Sequence, residues 1–208
     1  RLGLHALCRI HHQQGALTVR FALYPTLGAD RIASTKAAFR PVEDWVELKG
    51  VKVFMDGTLG SRTAWMFDPF NNNPADGANN RGLPTPEATN GVIRRIADLC
   101  RQNGLQLIGH AIGDRANHEL IEFFKATWPN LRSARARLEH AQHLHAPDIA
   151  MVGRLGVITS YQPFHKADDG RYAESYLGEA RCRSSYAYKD VLDSGGVLAF
   201  GSDWPVVT

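Results

Sequence analysis

The stretch Leu107-Ile108-Gly109-His110-Ala111-Ile112-Gly113-Asp114 runs apolar into a histidine, turns through small residues and opens toward a helix at Asp114. A short apolar run that ends on a metal-capable side chain just before a helix has the form of an α/β site built at a strand end. Alternation puts Gln106, Ile108 and His110 on one face of this strand. His110 is the first candidate metal ligand, and Asp114 is placed to cap a helix over residues 115–126.

Upstream, Leu2, Leu4, Leu7, Cys8 and Ile10 recur at helical spacing until Gly15. Leu17–Tyr24 alternates and stops at Pro25, which predicts a strand, and residues 26–47 read as a loop with a short helix. Val51-Lys52-Val53-Phe54-Met55-Asp56-Gly57 is the next strand, with Lys52, Phe54 and Asp56 on one face. A lysine in so short an apolar strand is unusual; its ordinary explanation is an edge strand whose lysine snorkels to water. The loop 58–86 is rich in Asn, Gly and Pro, and a loop of this length is commonly functional, a lid for example. It carries Arg62, a candidate clamp for an anion or carboxylate. Pro86-Glu87 opens a helix with Val92, Ile93, Ile96, Ala97 and Leu99 on its apolar face, stopped at Gly104.

Downstream, Ala136–His140 is a fourth strand, again ending on histidine. His143-Leu144-His145 has His-x-His spacing, but it precedes the helix start Ala146-Pro147-Asp148, so it is a weak ligand candidate. Gly156–Gln162 is a fifth strand, with His165 just past its end. A polar connection over 166–186 leads to a helix over 186–194 that ends at Gly195-Gly196. The last strand, Val197–Asp203, ends on a carboxylate, with Val197, Ala199, Gly201 and Asp203 sharing a face.

Strands ending near residues 24, 56, 110, 140, 161 and 203, separated by helices, predict a parallel sheet with crossover helices. A doubly wound sheet would place its site at one switch point, usually beside a Gly-rich phosphate loop, and neither GxGxxG nor a Walker A sequence occurs. A (β/α) barrel gathers residues from many strand ends at one face. Lys52, His110, His140, His165 and Asp203 come from five such ends, which favours the barrel. Two histidines and an aspartate on separate strands suit Zn²⁺ or a similar borderline ion. Such an ion acidifies water and polarises a carbonyl. Asp203 could both touch it and take the proton from that water. The absence of a Gly-x-Ser-x-Gly elbow argues against serine hydrolase chemistry.

The 208 residues are 44% hydrophobic and 22% charged, an ordinary globular composition. Net charge is +3, and the basic residues are scattered apart from Arg132/Arg135/Arg137 and Arg181/Arg183, which argues against a nucleic-acid partner. No apolar run reaches the ~18 residues of a membrane span. Cys8, Cys100 and Cys182 are odd in number and far apart, which points to a reducing, cytoplasmic setting rather than a disulfide framework. A small-molecule substrate is the expected partner, with self-association as a homo-oligomer the further option. The chain begins without Met, inside a helical pattern, and ends straight after a strand, so a piece of a longer protein is expected.

The sequence resembles the metal-dependent amidohydrolase superfamily, and within it the amidohydrolase 3 (YtcJ-like) family. The resemblance runs from about Leu17 to Pro205 and rests on motifs in order: Val51–Arg62, Gly109–Asn117, Arg137–Gln142, Gln162–His165 and Phe200–Pro205. It implies an α/β fold, a (β/α)8 TIM barrel of which this chain holds about strands 3 to 8. The N-terminal strands and a small β-sandwich domain would be absent. It implies Lys52, His110, His140 and Asp203 as metal ligands, with Asp203 also the catalytic base. It implies one or two divalent ions, Zn²⁺ foremost, and a CO₂-derived carbamate on Lys52 that would bridge metals. Arg62 and His165 match positions on the substrate side. The implied reaction is hydrolysis of a non-peptide C–N bond in an amide, formamide or cyclic amide. Ester or phosphoester hydrolysis, deamination and an inactive fragment are the alternatives. The family's strand-1 His-x-His pair has no counterpart here, since His11-His12 has the wrong spacing.

Overall fold

The computed structural model describes residues 3–71 and 79–206. Helix α1 (Gly3–Gln13) leads to strand β1 (Phe21–Leu23), helix α2 (Ile32–Ala38) and two strands, β2 (Val46–Leu48) and β3 (Gly50–Phe54). Helices α3 (Pro86–Thr89) and α4 (Val92–Gln102), strand β4 (Gln106–Ala111) and helix α5 (Asp114–Thr127) follow. Then come α6 (Leu131–Ala134), β5 (Arg137–His140), α7 (Ala146–Leu155) and β6 (Ile158–Tyr161). The last part holds α8 (Pro163–Asp169), α9 (Ala173–Leu177), α10 (Glu179–Cys182), α11 (Tyr188–Asp193) and β7 (Val197–Phe200).

Strands β3 to β7 pair in chain order, all parallel, as an open five-stranded arc. Consecutive parallel neighbours joined through helices are the progression of a (β/α) barrel, and among the described residues the ring is not closed. The register brings the strands' C-terminal ends to one rim: Phe54 lies opposite His110, Ala111 opposite His140, and Tyr161 opposite Phe200. The expected first strand, Leu17–Tyr24, shrinks to Phe21–Leu23 and pairs with β2 in a separate two-stranded sheet. Only Lys49 separates β2 from β3, and the Lys49 and Lys52 N–H groups donate to Leu23 and Pro25. The β1 segment therefore still flanks the arc.

The apolar face of α4 (Ile93, Ile96, Ala97, Cys100) and that of α5 (Leu120, Ile121, Phe124) share one core with Val51, Val53, Met55 and Leu107. Each such fully buried side chain contributes roughly 1.5–3 kcal/mol. Gly109 points away from His110 in the strand alternation, and a Cβ there would lie 2.3 Å from Leu120 Cδ2. A glycine at this position lets α5 pack down onto β4.

Several sequence expectations are corrected. The helix expected from Pro86 breaks at Asn90-Gly91, where Gly91 has φ 83°, giving α3 and α4. The polar connection 166–186, for which no elements were expected, is largely helical, in α8 to α10. Strands β3 and β7 end at Phe54 and Phe200, so Asp56 and Asp203 lie beyond the pleat and do not follow its alternation. Asp114 does not cap α5: its Oδ1 accepts from Arg115 N–H at 2.7 Å and from Phe67 N–H at 2.8 Å, tying the loop after β3 to the helix. Of that long loop, on which the lid expectation falls, residues 72–78 lie outside the described residues. No helix among the described residues is long and apolar enough to cross a membrane, and the three cysteines are free.

Candidate metal centre

All five of the predicted strand-borne residues come to one cleft of about 520 Å³. Lys52 of β3, His110 of β4, His140 of β5 and Asp203 after β7 line it, with His165 from the first turn of α8. Phe54, Leu59 and Ile112 give it apolar walls. Arg62 lies outside this lining; its guanidinium stacks 3.9 Å from the Tyr176 ring centre.

Hydrogen bonding fixes which nitrogen each histidine keeps free. His110 Nε2 lies 3.0 Å from the Gly57 carbonyl, which only accepts, so Nε2 carries the proton and Nδ1 the lone pair. Gln162 donates its amide N–H to the Ser160 carbonyl at 3.3 Å and turns its oxygen to His140 Nδ1 at 2.7 Å. His140 therefore donates from Nδ1 and keeps Nε2 free. Gln142 donates to the Asp169 carboxylate at 2.6 Å, so its oxygen accepts from His165 Nδ1 at 3.3 Å. His165 Nε2 is left buried with no hydrogen-bond partner among the described residues. This is the arrangement by which outer hydrogen bonds orient metal-binding imidazoles.

The free atoms converge. One donor atom each from His140, His165 and Asp203 lies within 4.8 Å of the others. His165 Nε2 is 4.0 Å from Asp203 Oδ2, the His165 ring stacks on His140 at 5.6 Å, and His140 meets His110 edge to face at 4.5 Å. His140, His165 and Asp203 form a donor set that fits a borderline divalent ion, and the His110 ring lies beside that group. Burial favours the neutral form of two of these rings: it pushes His110 down, and it lowers His140 to about 3, helped by the nearby His110. Lys52 has no ion-pair partner within 4.0 Å among the described residues, and its Nζ lies 5.0 Å from the Phe54 ring centre. The chain is also bent at this rim: His140, Ala141 and Asp203 have φ of 77°, 45° and 56°. Non-glycine residues rarely adopt such angles, and they concentrate at functional sites.

Other residues that matter carried no role in the sequence. Asp56, expected only to share a face with Lys52, is buried and accepts from the backbone N–H groups of Trp65, Ile112 and Gly113 at 2.9, 3.1 and 2.8 Å. It also lies 3.5 Å from His110 Nε2. Burial pushes its carboxyl up to about 7, against the pull of those three donors. Asp169 is buried and holds Gln142, Tyr172 and Tyr186 together, with both tyrosine hydroxyls donating, at 2.8 and 2.7 Å. Gln142 and Gln162 lay inside recognisable motifs, but nothing in the sequence marks Asp169, because Gln142 and Tyr186 reach it from distant segments.

Residues 5–208 match the model of the amidohydrolase family. The chain is 35% identical over 168 residues to the Arabidopsis thaliana protein LONG AFTER FAR-RED 3, covering 79% of this chain and 28% of that protein. It is 30% identical over 162 residues to the putative amidohydrolase YtcJ of Bacillus subtilis, covering 78% of this chain and 29% of that protein. The chain thus spans less than a third of these curated relatives. Among solved structures, an uncharacterized metal-dependent hydrolase from Pyrococcus horikoshii superposes with a TM-score of 0.81 at 26% identity, covering all of this chain and 40% of that one. A second, from Pyrococcus furiosus, gives 0.78 at 25%, covering all of this chain and 42% of that one. The parallel arc agrees with these matches, and the chain belongs to the amidohydrolase family.

Proposed function

We propose that this chain carries part of the active site of a metal-dependent hydrolase that cleaves a non-peptide C–N bond in an amide, formamide or cyclic amide. The supporting observation is the set of three histidines, each with one nitrogen committed to a hydrogen bond and the other free, in the cleft that Lys52 and Asp203 also line. His110, His140, Asp203 and Lys52 would hold the metal, one or two ions of the Zn²⁺ class. Lys52 would serve as a carbamate, formed when its neutral amine adds CO₂ and releases a proton. A divalent ion bound there supplies acidification of water and polarisation of the scissile carbonyl.

The chain's own residues do the rest. Asp203 takes the proton of the attacking water and passes it to the leaving nitrogen. Gln162 and Gly57 hold His140 and His110 in the tautomers that leave a lone pair free. Gln142, braced by Asp169, does the same for His165. His165 then either joins the donor set or accepts a hydrogen bond from the substrate N–H, and the metal content of His165→Ala tells these apart. Phe54, Leu59 and Ile112 give the apolar part of a substrate a surface to lie against. Arg62, stacked outside the lining, is left out of this assignment.

The test is turnover by the purified, metal-supplied protein on a panel of amides, formamides and cyclic amides beside esters and phosphotriesters. Hydrolysis of the C–N substrates over the others is expected. Preference for esters or phosphotriesters would overturn the C–N reading. Metal content far below one ion per chain after zinc or manganese loading would overturn the metallohydrolase reading itself.

A further inference from the structure

We propose that His118, His145 and Asp148 form a second divalent-cation site of the Zn²⁺ class, on the outer ring of helices and sharing no residue with the strand-end cleft. His118 sits in the second turn of α5, His145 immediately precedes α7, and Asp148 lies in the first turn of α7. One donor atom from each lies within 4.8 Å of the other two. Two imidazoles and one carboxylate, with a water in the fourth position, make a common tetrahedral zinc arrangement.

The state of Asp148 supports a cation here beyond mere proximity. The residue is 1% exposed. Both of its carboxylate oxygens face one group, His118 Nδ1, at 3.2 and 3.0 Å. Among the described residues its carboxylate has no other hydrogen-bond or ion-pair partner. A carboxylate offers about four lone-pair sites, and a buried one is normally met by several donors or by a metal. A single imidazole leaves it short of positive charge. Neither His118 nor His145 is fully buried, so an ion has a path in from solvent. Phe67 closes one side, its ring centre 5.4 Å from that of His118 and 5.1 Å from that of His145.

The placement also suggests what the site does. The Phe67 N–H already donates to Asp114 at the start of α5. An ion shared by α5 and α7 under the Phe67 ring would fasten both helices and the loop after β3 at one point.

The experiment strips the full protein with a chelator, reloads it with Zn²⁺ or Co²⁺, and counts bound metal by elemental analysis and by Co²⁺ visible absorption. His145→Asn is the chosen variant: asparagine is a better helix N-cap than histidine, so α7 keeps its start while the ligand is lost. The expected result is one ion per chain fewer than in the unaltered protein, with the helical circular dichroism unchanged. The affinity loss should exceed the ~10–100-fold that removal of an outer-sphere partner causes. Asp148→Asn should show the same deficit. As a second arm, His110→Ala with His140→Ala removes donors from the strand-end set. That protein should keep one ion, and adding His145→Asn should remove it. Metal stoichiometry unchanged by His145→Asn in the unaltered protein overturns the site. It would leave the strand-end proposal untouched, since the two sets share no ligand.

Discussion

Gln162 divides its amide between two partners: its oxygen accepts from His140 Nδ1 at 2.7 Å, and its nitrogen donates to the Ser160 carbonyl at 3.3 Å. The Ser160 carbonyl only accepts, so turning the glutamine over would set oxygen against oxygen there. It therefore locks the tautomer that leaves His140 Nε2 free.

Gln162→Leu keeps the volume and removes the lock. Zinc affinity should fall by about 10–100-fold, read by isothermal titration against the unaltered protein. The buried His140 N–H left without a partner should also cost about 1–3 kcal/mol of stability. Unchanged affinity would show that the tautomer is set elsewhere.

Lys52→Ala should lower the metal content of the purified protein and its activity with it. Short carboxylic acids added at high concentration should restore part of both, because they supply the oxygen ligand that the carbamate would provide. Full metal occupancy in the variant would remove the carbamate from the site.

Asp203→Asn should abolish hydrolysis and leave the thermal midpoint close to that of the unaltered protein, since this half-exposed side chain holds no core together. Retained turnover would take the role of base away from Asp203.

Acid stability should follow the buried histidines. Burial, aided by Arg181, lowers His143 to about 3 from 6.5, and burial lowers His140 to about 3 as well. Below pH 6.5 the unfolded chain takes up protons that the folded chain refuses, so this stability is full above 6.5 and is lost as pH falls toward 3. The loss is about 1.4 kcal/mol per pH unit for each histidine. Asp56 acts in the opposite sense. Pushed up to about 7 from 3.8, it stays protonated when folded, so its contribution is lost as pH rises through that window. In metal-free protein between pH 4 and 6.5, His143→Gln should flatten the rise of stability with pH by about 1.4 kcal/mol per unit. Urea midpoints measured across that range check it, and an unchanged slope would mean that His143 titrates normally.

Asp56→Ala should be among the most damaging single changes, because three buried N–H groups, of Trp65, Ile112 and Gly113, lose their acceptor together. At about 1–3 kcal/mol each, a loss of roughly 3 kcal/mol or more is expected in chemical denaturation. Asp56→Leu, which fills the space without restoring the acceptor, should not recover it.

The order of strands and the residues that end them were legible because both are written locally. Apolar runs close on His110, His140 and Asp203, another carries Lys52 within it, and helical spacing separates them. A parallel arc follows from that order alone, since each strand must be joined to the next by a crossover. The limits of the elements were less legible. Val51–Gly57 reads as one alternating strand, yet the pleat ends at Phe54 because Asp56 is drawn aside to meet three backbone donors. Asp114 reads as a helix cap, yet the loop residue Phe67 claims its carboxylate together with Arg115.

What the sequence by itself determined is the set of groups at the rim and the topology that delivers them, because strand alternation and crossover connection are properties of short segments. What only the tertiary structure decided is the state of those groups. Which nitrogen of His110, His140 and His165 is free depends on Gly57, Gln162 and Gln142, and Asp169 fixes the last of these from α8. The pairing of His118 with Asp148 joins residues thirty positions apart on two helices. Hydrogen bonds between distant segments leave no periodic trace in a sequence, so tautomer, burial and the second cluster of donors became visible only when the chain was folded.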